Sequence, residues 1–269
     1  MTDARACVPA AFGGGLRGRV RHGSGAAIVW VHGYTLDSTI WDELWPLLPD
    51  WTHVGVDLPG HGASRALATA TPLDDVIAAL AEAVAQYDVR HVVGLSFGSI
   101  VALELALACP GAFDTLTLAA PAIGGGAVDP DVGVRYGELM ALYRARGAGP
   151  WMTELWMRCP PGTFAHASPD VRARLAAIVD RHEWRELDDP ERGIGALTRR
   201  PQDVRMLAFS TARPLIAIGE HELPAFRRNA ETLRRVRPDA HFVELAGAGH
   251  LCLLHAAHDA APLLAAHFR

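Results

Sequence analysis

The chain has 269 residues, 50% of them hydrophobic, and a formal net charge of −5, so it can form one large α/β domain or two small ones. All 25 basic residues are Arg. The absence of Lys excludes Schiff-base enzymes, Walker-A nucleotide binders and Ser-x-x-Lys acyl enzymes, because each needs a lysine amine. A mildly acidic balance without a basic stripe argues against nucleic acid as a partner.

The cysteines and the apolar runs of the sequence indicate in which cellular compartment the protein lies. Four scattered cysteines show neither a C-x-x-C pair nor metal-ligand spacing: Cys7, Cys109, Cys159 and Cys252. Scattered thiols are typical of a reducing compartment. No secretory signal is visible in the first 15 residues, and the best apolar run, near residues 100–109, contains Glu104. We therefore expect a cytoplasmic protein that contacts no membrane. Its oligomeric state is left open.

Short apolar runs alternate with helical periodicity along much of the chain. Residues 1–14 are small and Gly-rich, which predicts a flexible tail. The alternation that follows predicts a parallel sheet with crossover helices. The predicted strands are 26–31, 53–56, 91–95, 113–119, 214–218 and 241–245. The predicted helices of this part are 38–48, 72–86 with Thr71 as its N-cap, 97–108, 224–236 and 256–268.

The alternation stops between residues 121 and 209, where the pattern predicts helices near 133–146, 150–158 and 169–187 but no strand. A helical insertion between two strands predicts a cap over the carboxyl edge of the sheet, where ligands bind in open α/β sheets. We therefore divide the chain into a core, residues 15–121 and 209–269, and a helical cap, residues 122–208.

The string Gly94-Leu95-Ser96-Phe97-Gly98 fits G-x-S-x-G and lies between a predicted strand and a predicted helix. A nucleophile on such a tight turn has a strained backbone, and side chains two residues away on either side would collide. The glycines remove those side chains, and the turn exposes the hydroxyl of Ser96. We predict Ser96 as a nucleophile rather than an ordinary N-cap serine.

A serine nucleophile needs a base, and the base needs an orienting acid. Glu220 and Glu222 follow one late predicted strand, and His250 follows the last. The order nucleophile, acid, histidine is that of α/β-hydrolases. We predict His250 as the base and Glu222 as the acid, with Glu220 as the rival.

An acyl-transfer site also needs oxyanion donors and a pocket. The amide of Phe97 lies at a helix N-terminus, where free N–H groups favour a developing oxyanion, and the amide of Tyr34 is the second predicted donor. We place His32, Gly33, Trp151 and Trp156 in the substrate pocket. The alternative for the two tryptophans is that they form the seam between cap and core.

Five strings in this order resemble the α/β-hydrolase superfamily: His32-Gly33, Asp57-Leu58-Pro59-Gly60-His61-Gly62-Ala63-Ser64, Gly94 to Gly98, Gly219-Glu220-His221-Glu222 and Gly247-Ala248-Gly249-His250. The resemblance implies an α/β-hydrolase fold, with a mostly parallel central sheet flanked by helices and a helical cap inserted after the strand near residues 113–119. The superfamily usually has Asp where this chain has Glu222.

Within the superfamily, the chain is similar to small, cap-bearing, cofactor-free serine hydrolases such as esterases and enol-lactone hydrolases, and to the pyruvate-eliminating lyase of menaquinone biosynthesis. We therefore expect hydrolysis of an ester, thioester or lactone of a small, largely apolar substrate through an acyl-enzyme, with no metal or organic cofactor. The lyase group usually carries Arg where this chain has Ile100, which argues against the lyase alternative. A third alternative is a ligand-binding protein on a hydrolase scaffold.

Overall fold

The computed structural model describes residues 6–65, 73–188, 198 and 200–269. Their strands form one sheet in the order β1-β2-β4-β3-β5-β6-β7-β8. The first two pairs of neighbours, β1–β2 and β2–β4, are antiparallel, and all later pairs are parallel. This confirms the predicted mostly parallel sheet. The strands are β1 (Val8–Ala11), β2 (Arg17–Arg21), β3 (Ala27–Val31), β4 (Thr52–Asp57), β5 (Val89–Leu95), β6 (Thr115–Ala119), β7 (Arg213–Gly219) and β8 (His241–Leu245).

The sheet is covered on both faces. Alternate residues of β3 enter two separate apolar clusters, Val29 and Val31 in one and Ile28 and Trp30 in the other, as expected from side chains that alternate across a strand. The helices of the described residues are α1 (Leu73–Gln86), α2 (Phe97–Ala108), α3 (Pro130–Arg146), α4 (Pro150–Trp156), α5 (Pro169–Val179), α6 (Pro224–Val236), α7 (Cys252–His255) and α8 (Ala257–His267). Within the described ranges, no helix combines the length and the apolar character needed to cross a membrane.

The structure differs from the prediction in several elements. Strand β2 was not predicted, and the predicted helix over 169–187 ends at Val179, before a separate 3₁₀ turn at Arg185–Leu187. The predicted tail is wrong for residues 8–11, because their backbone pairs with β2, Val8 opposite Val20. The predicted helix over 38–48 is instead two 3₁₀ turns, Ser38–Glu43 and Trp45–Leu47, and the second has Pro46 near its start. The N-cap predicted at Thr71 and the first helical residue at Pro72 lie outside the described residues.

Between β6 and β7, the regular elements of the described residues are all helices. It contains α3, α4, α5 and the 3₁₀ turn Arg185–Leu187, and we call residues 130–187 the inserted helical segment. Buried residues of this segment, including Trp156 and Trp184, share an apolar cluster with Trp30 of β3. The segment also contacts the loop after β3, where Arg181 forms an ion pair with Asp37 at 2.7 Å. The inserted helical segment therefore packs on the core beside the loop that follows β3.

Candidate active site

The topology brings the predicted catalytic residues to one edge of the sheet. Strand β3 lies between β4 and β5 in the sheet, so the strand order reverses direction at β3. Ligands of open α/β sheets bind at the carboxyl ends of the strands beside such a reversal. Tyr34 follows β3, Ser96 follows β5, and Glu222 and His250 follow β7 and β8. Because these strands are parallel, their carboxyl ends meet at the same edge.

The turn at Ser96 is sterically demanding. Ser96 has φ 54° and ψ −120°, a strained combination for a non-glycine residue. A Cβ atom on Gly98 would lie 2.4 Å from the carbonyl oxygen of Val31, and one on Gly94 would lie 2.6 Å from the Cβ of Ala102. Both positions therefore require glycine, because β3 and α2 approach the turn too closely for a side chain.

Ser96, His250 and Glu222 form a continuous hydrogen-bonded chain. The Oγ of Ser96 lies 2.8 Å from Nε2 of His250, and Nδ1 of His250 lies 2.7 Å from Oε1 of Glu222. With the proton on Nδ1 facing the carboxylate, Nε2 is free to accept the serine hydroxyl proton. The ring of Phe226, from α6, packs on the imidazole of His250 with centroids 4.2 Å apart. His250 and Glu222 are both buried, so water competes little for these bonds.

The two candidate acids occupy different environments. Oε1 of Glu222 contacts His250 and also accepts the amide of Leu223 at 2.8 Å. Glu220 is exposed, and its Oε2 accepts the amide of Gly247 at 2.8 Å. The structure therefore brings Glu222, and not Glu220, to the histidine.

His255 supports the loop that carries His250, a role that sequence reasoning missed. Its Nδ1 accepts the amide of Gly249 at 3.2 Å. Burial, and then the neighbouring His250 and His166, lower the pKa of His255 to about 4. The imidazole therefore stays neutral and keeps its acceptor nitrogen near neutral pH. The sequence holds thirteen histidines, and no spacing rule singles this one out.

The two predicted oxyanion donors come from α2 and from the loop after β3. Phe97 is the first residue of α2, so its amide is at the helix N-terminus. A Cβ atom on Gly33 would lie 3.5 Å from the Cβ of Ser96, so the loop that leads into Tyr34 contacts the nucleophile turn. In the part of the chain that the structure describes, we find no hydrogen bond from either amide to a protein acceptor.

His32 connects two loops of the site. Its side chain is fully buried, Nδ1 donates to the carbonyl of Gly33 at 2.8 Å, and Nε2 accepts the amide of Leu58 at 2.9 Å. Burial lowers the pKa of His32, although Asp57 acts in the opposite direction. His32 thus joins the loops after β3 and β4, and its assignment to the substrate pocket stays a prediction.

The two tryptophans predicted for the pocket have different surroundings in the structure. Trp156 is buried, donates from Nε1 to Oγ1 of Thr35 at 2.8 Å, and packs edge-to-face on Tyr34. Trp151 lies at the corner between α3 and α4, where Nε1 donates to the carbonyl of Gly147 at 2.9 Å. The guanidinium of Arg146 lies over its ring. Trp156 therefore contacts the predicted oxyanion loop, whereas the contacts of Trp151 are those of a helix corner.

Comparisons with known proteins agree with this geometry. A model of the alpha/beta hydrolase family matches residues 28–263. A segment of 97 residues is 43% identical to the pimeloyl-[acyl-carrier protein] methyl ester esterase of Methylococcus capsulatus, covering 36% of this chain and 37% of that protein. A segment of 92 residues is 35% identical to the 2-succinyl-6-hydroxy-2,4-cyclohexadiene-1-carboxylate synthase of an Enterobacter species, covering 33% of this chain and 35% of that protein. The chain thus matches just over a third of the length of these two relatives.

A solved structure extends the comparison to the whole fold. The esterase of Exiguobacterium antarcticum superposes with a TM-score of 0.79 at 18% identity, covering 96% of this chain and 98% of that one. A likeness at this identity shows the fold alone. The family model, in contrast, spans both the nucleophile turn and the loop of His250. The chain therefore belongs to the alpha/beta hydrolase family.

Proposed function

We propose that the protein is a serine hydrolase that cleaves an ester, thioester or lactone of a small, largely apolar substrate through an acyl-enzyme. The observation that carries this proposal is the chain of contacts from Ser96 through His250 to Glu222, at 2.8 and 2.7 Å. A hydroxyl, an imidazole and a carboxylate in this order are the groups that acyl transfer requires.

The proposed reaction has two halves. Oγ of Ser96 bonds to the carbonyl carbon while its proton passes to Nε2 of His250, and the amides of Tyr34 and Phe97 hold the oxyanion. The leaving group then departs with the proton from His250, which leaves an acyl-enzyme. In the second half, His250 removes a proton from water, the resulting hydroxide attacks the acyl carbon, and the acid product leaves as Ser96 regains its proton.

Glu222 acts through the histidine. Its carboxylate accepts the Nδ1 proton, which sets the imidazole tautomer, and it stabilises the imidazolium that forms when Ser96 loses its proton. A buried carboxylate interacts strongly with a buried cation because little solvent screens the pair. The longer side chain of Glu does not prevent this contact, since Oε1 lies 2.7 Å from Nδ1.

The surroundings of the predicted oxyanion loop support a largely uncharged substrate. The rings of Phe97, Tyr136 and Trp156 lie around Tyr34, and aromatic surface favours apolar acyl or alcohol groups. Glu186 lies against the hydroxyl of Tyr34, and its negative charge disfavours an anionic group beside that side chain.

Covalent labelling tests the nucleophile. We expect a fluorophosphonate probe to label wild-type protein and the Ser96→Ala variant to stay unlabelled, with p-nitrophenyl ester turnover lowered roughly 10⁵-fold. The matched control is Ser99→Ala, because Ser99 donates to the carbonyl of Gly94 and not to His250; it should still be labelled. No adduct on wild-type protein, or equal labelling of Ser96→Ala, would contradict the proposal.

A lyase that uses the same three side chains is the second candidate. It is favoured by the segment 35% identical to the 2-succinyl-6-hydroxy-2,4-cyclohexadiene-1-carboxylate synthase. Against it, the residue four positions after Ser96 is Ile100, which is buried in the core and offers no cation. Turnover of p-nitrophenyl esters of increasing acyl length, with lactones included, separates the two candidates. A folded protein that turns over no member of the series would favour the lyase.

A further inference from the structure

We infer that Glu186 is a positioning residue for the oxyanion hole: it holds the hydroxyl of Tyr34 and so fixes the loop whose amide faces the reacting oxygen. This inference rests on the proposed function, because it concerns the amide of Tyr34, one of the two proposed oxyanion donors. It also gives the inserted helical segment a part in the reaction, since Glu186 belongs to that segment while Tyr34 follows β3.

The contact is direct and buried. The hydroxyl of Tyr34 donates to Oε1 of Glu186 at 2.5 Å, across 152 residues of sequence. The same oxygen lies 2.9 Å from Nε2 of His182, and the side chains of His182 and Glu186 are only 2% and 6% exposed. Two donors thus converge on one carboxylate oxygen in a place from which water is largely excluded.

The protonation states favour a strong bond. Burial alone would raise the pKa of Glu186, but the hydrogen bond and charge of His182, and then the hydrogen bond from Tyr34, lower it below its ordinary value. Burial, and then the charge of Glu186, raise the pKa of Tyr34 well above its ordinary value. The carboxylate therefore stays ionised and the phenol stays protonated, which makes this a charge-assisted hydrogen bond, stronger than one between neutral groups.

The next residue shows that this loop needs support. Thr35 has φ 62°, in the left-handed region that a β-branched residue avoids. Its amide donates to Nε2 of His61 at 3.1 Å, and its Oγ1 accepts Nε1 of Trp156 at 2.8 Å. The strained turn is therefore fixed by hydrogen bonds to His61 and to Trp156.

His61 lies between this turn and the buried carboxylate. Its ring is 4.5 Å from that of His182. Burial, followed by the charges of His182 and His32, lowers the pKa of His61 well below its ordinary value. The imidazole is neutral as a result, and Nε2 remains an acceptor for the amide of Thr35.

The oxyanion amide belongs to the same short loop. Gly33, one residue before Tyr34, approaches Ser96 closely enough that its Cβ atom would lie 3.5 Å from that of the serine. A displacement of Tyr34 is therefore a displacement of the amide relative to the nucleophile. An error of about 1 Å in the position of a reacting or stabilising group can lower the rate by up to 10²-fold.

Three variants test the inference: Tyr34→Phe, which removes only the hydroxyl; Glu186→Leu, which removes the acceptor; and Glu186→Gln, which keeps an oxygen acceptor. We expect Tyr34→Phe and Glu186→Leu each to lower kcat for a p-nitrophenyl ester about tenfold, with KM within about twofold. Inhibition by a trifluoromethyl ketone, whose adduct places an oxyanion in the hole, should weaken by a similar factor. Glu186→Gln should keep more activity than Glu186→Leu.

The control is Tyr143→Phe. Tyr143 also donates a phenolic proton to a carboxylate of this region, that of Asp188 at 3.2 Å, but it is more exposed. Its loss should leave kcat and ketone inhibition unchanged. Because Tyr34 and Glu186 act through one bond, the double variant Tyr34→Phe/Glu186→Leu should be no slower than the slower single variant.

Several results would overturn the inference. Unchanged kcat in folded Tyr34→Phe, losses confined to KM or to the unfolding temperature, or fully additive losses would each contradict a positioning role for this contact. If Glu186→Leu does not fold, Tyr34→Phe decides the question, because it leaves Glu186 bound to His182. A wild-type protein without fluorophosphonate labelling or ester turnover would instead overturn the proposed function, and the inference with it.

Discussion

Two buried glutamates in this protein each belong to a cluster with a histidine and a hydroxyl, but the order of the groups differs. At the carboxyl edge of the sheet, His250 stands between Glu222 and Ser96. In the inserted helical segment, Glu186 stands between His182 of the same segment and Tyr34 of the core. The distances are similar, with 2.7 Å between Glu222 and His250 and 2.9 Å between Glu186 and His182.

The order of the groups decides what each cluster can do. With the imidazole in the middle, one nitrogen is oriented by the carboxylate and the other can take a proton from the hydroxyl. With the carboxylate in the middle, the hydroxyl faces a weak base of ordinary pKa about 4.3, far below that of a phenol. The first arrangement therefore suits proton transfer, and the second suits holding a loop.

Exchanging the two histidines for glutamine separates these roles most sharply. We expect His250→Gln to lower kcat/KM roughly 10⁵-fold, because Ser96 loses its base. His182→Gln, which keeps an N–H donor for Glu186, should cost no more than about threefold. Ester kinetics on both folded variants measure the difference. Comparable losses in the two would mean that the clusters do not have separate roles.

The next largest effect concerns the two carboxylates that follow β7. Glu222→Gln should lower kcat by about 10⁴-fold, since the amide lacks the charge that stabilises the imidazolium and its NH₂ group can favour the wrong imidazole tautomer. Glu220→Gln removes an equal charge from an exposed site bound to Gly247, and its kcat should stay within about twofold. Steady-state kinetics at saturating ester decide between them. A larger loss in Glu220→Gln would reverse the assignment of the acid.

A smaller effect is expected from His267, a buried histidine for which the described residues supply no carboxylate partner. Burial, and then Arg213 and His91, lower the pKa of His267 from 6.5 to about 4. Between these two values the unfolded chain binds a proton that the folded chain does not, so this histidine lowers stability as the pH falls through that window. His267→Phe should therefore show a weaker loss of stability on acidification.

Urea unfolding at several pH values between 7 and 4 measures this dependence. The free energy of unfolding of His267→Phe should fall less steeply with decreasing pH than that of wild-type protein, by up to one proton in the linkage slope. Parallel curves for the two proteins would show that His267 titrates normally in the folded state.

The sheet and the positions of Ser96, Glu222 and His250 could be predicted from sequence because their signals are local. Each parallel strand is a short apolar run that ends at a turn, and the residues after β5, β7 and β8 must therefore meet at one edge. The G-x-S-x-G string is local as well, although the steric need for glycine at Gly98 comes from the distant backbone of Val31. The catalytic roles themselves remain predictions.

The remaining features depend on contacts that no local pattern encodes. The sequence does not reveal that both nitrogens of His32 have backbone partners. The pairing of Val8–Ala11 with β2 was hidden because small residues near a chain terminus predict a loose tail. Glu186 lies 152 residues from Tyr34 in the sequence. The charged residues around Glu186 form a pattern that is typical of a solvent-exposed helix face.

The order of the three proposed catalytic residues along the chain also decides when the site can form during protein synthesis. Ser96 is translated well before Glu222 and His250, which come from loops after β7 and β8. A growing polypeptide therefore contains the nucleophile string before either the acid or the base has been translated. Such a nascent chain would carry an unactivated serine, so the proposed reactivity would begin only after β8 pairs with the sheet.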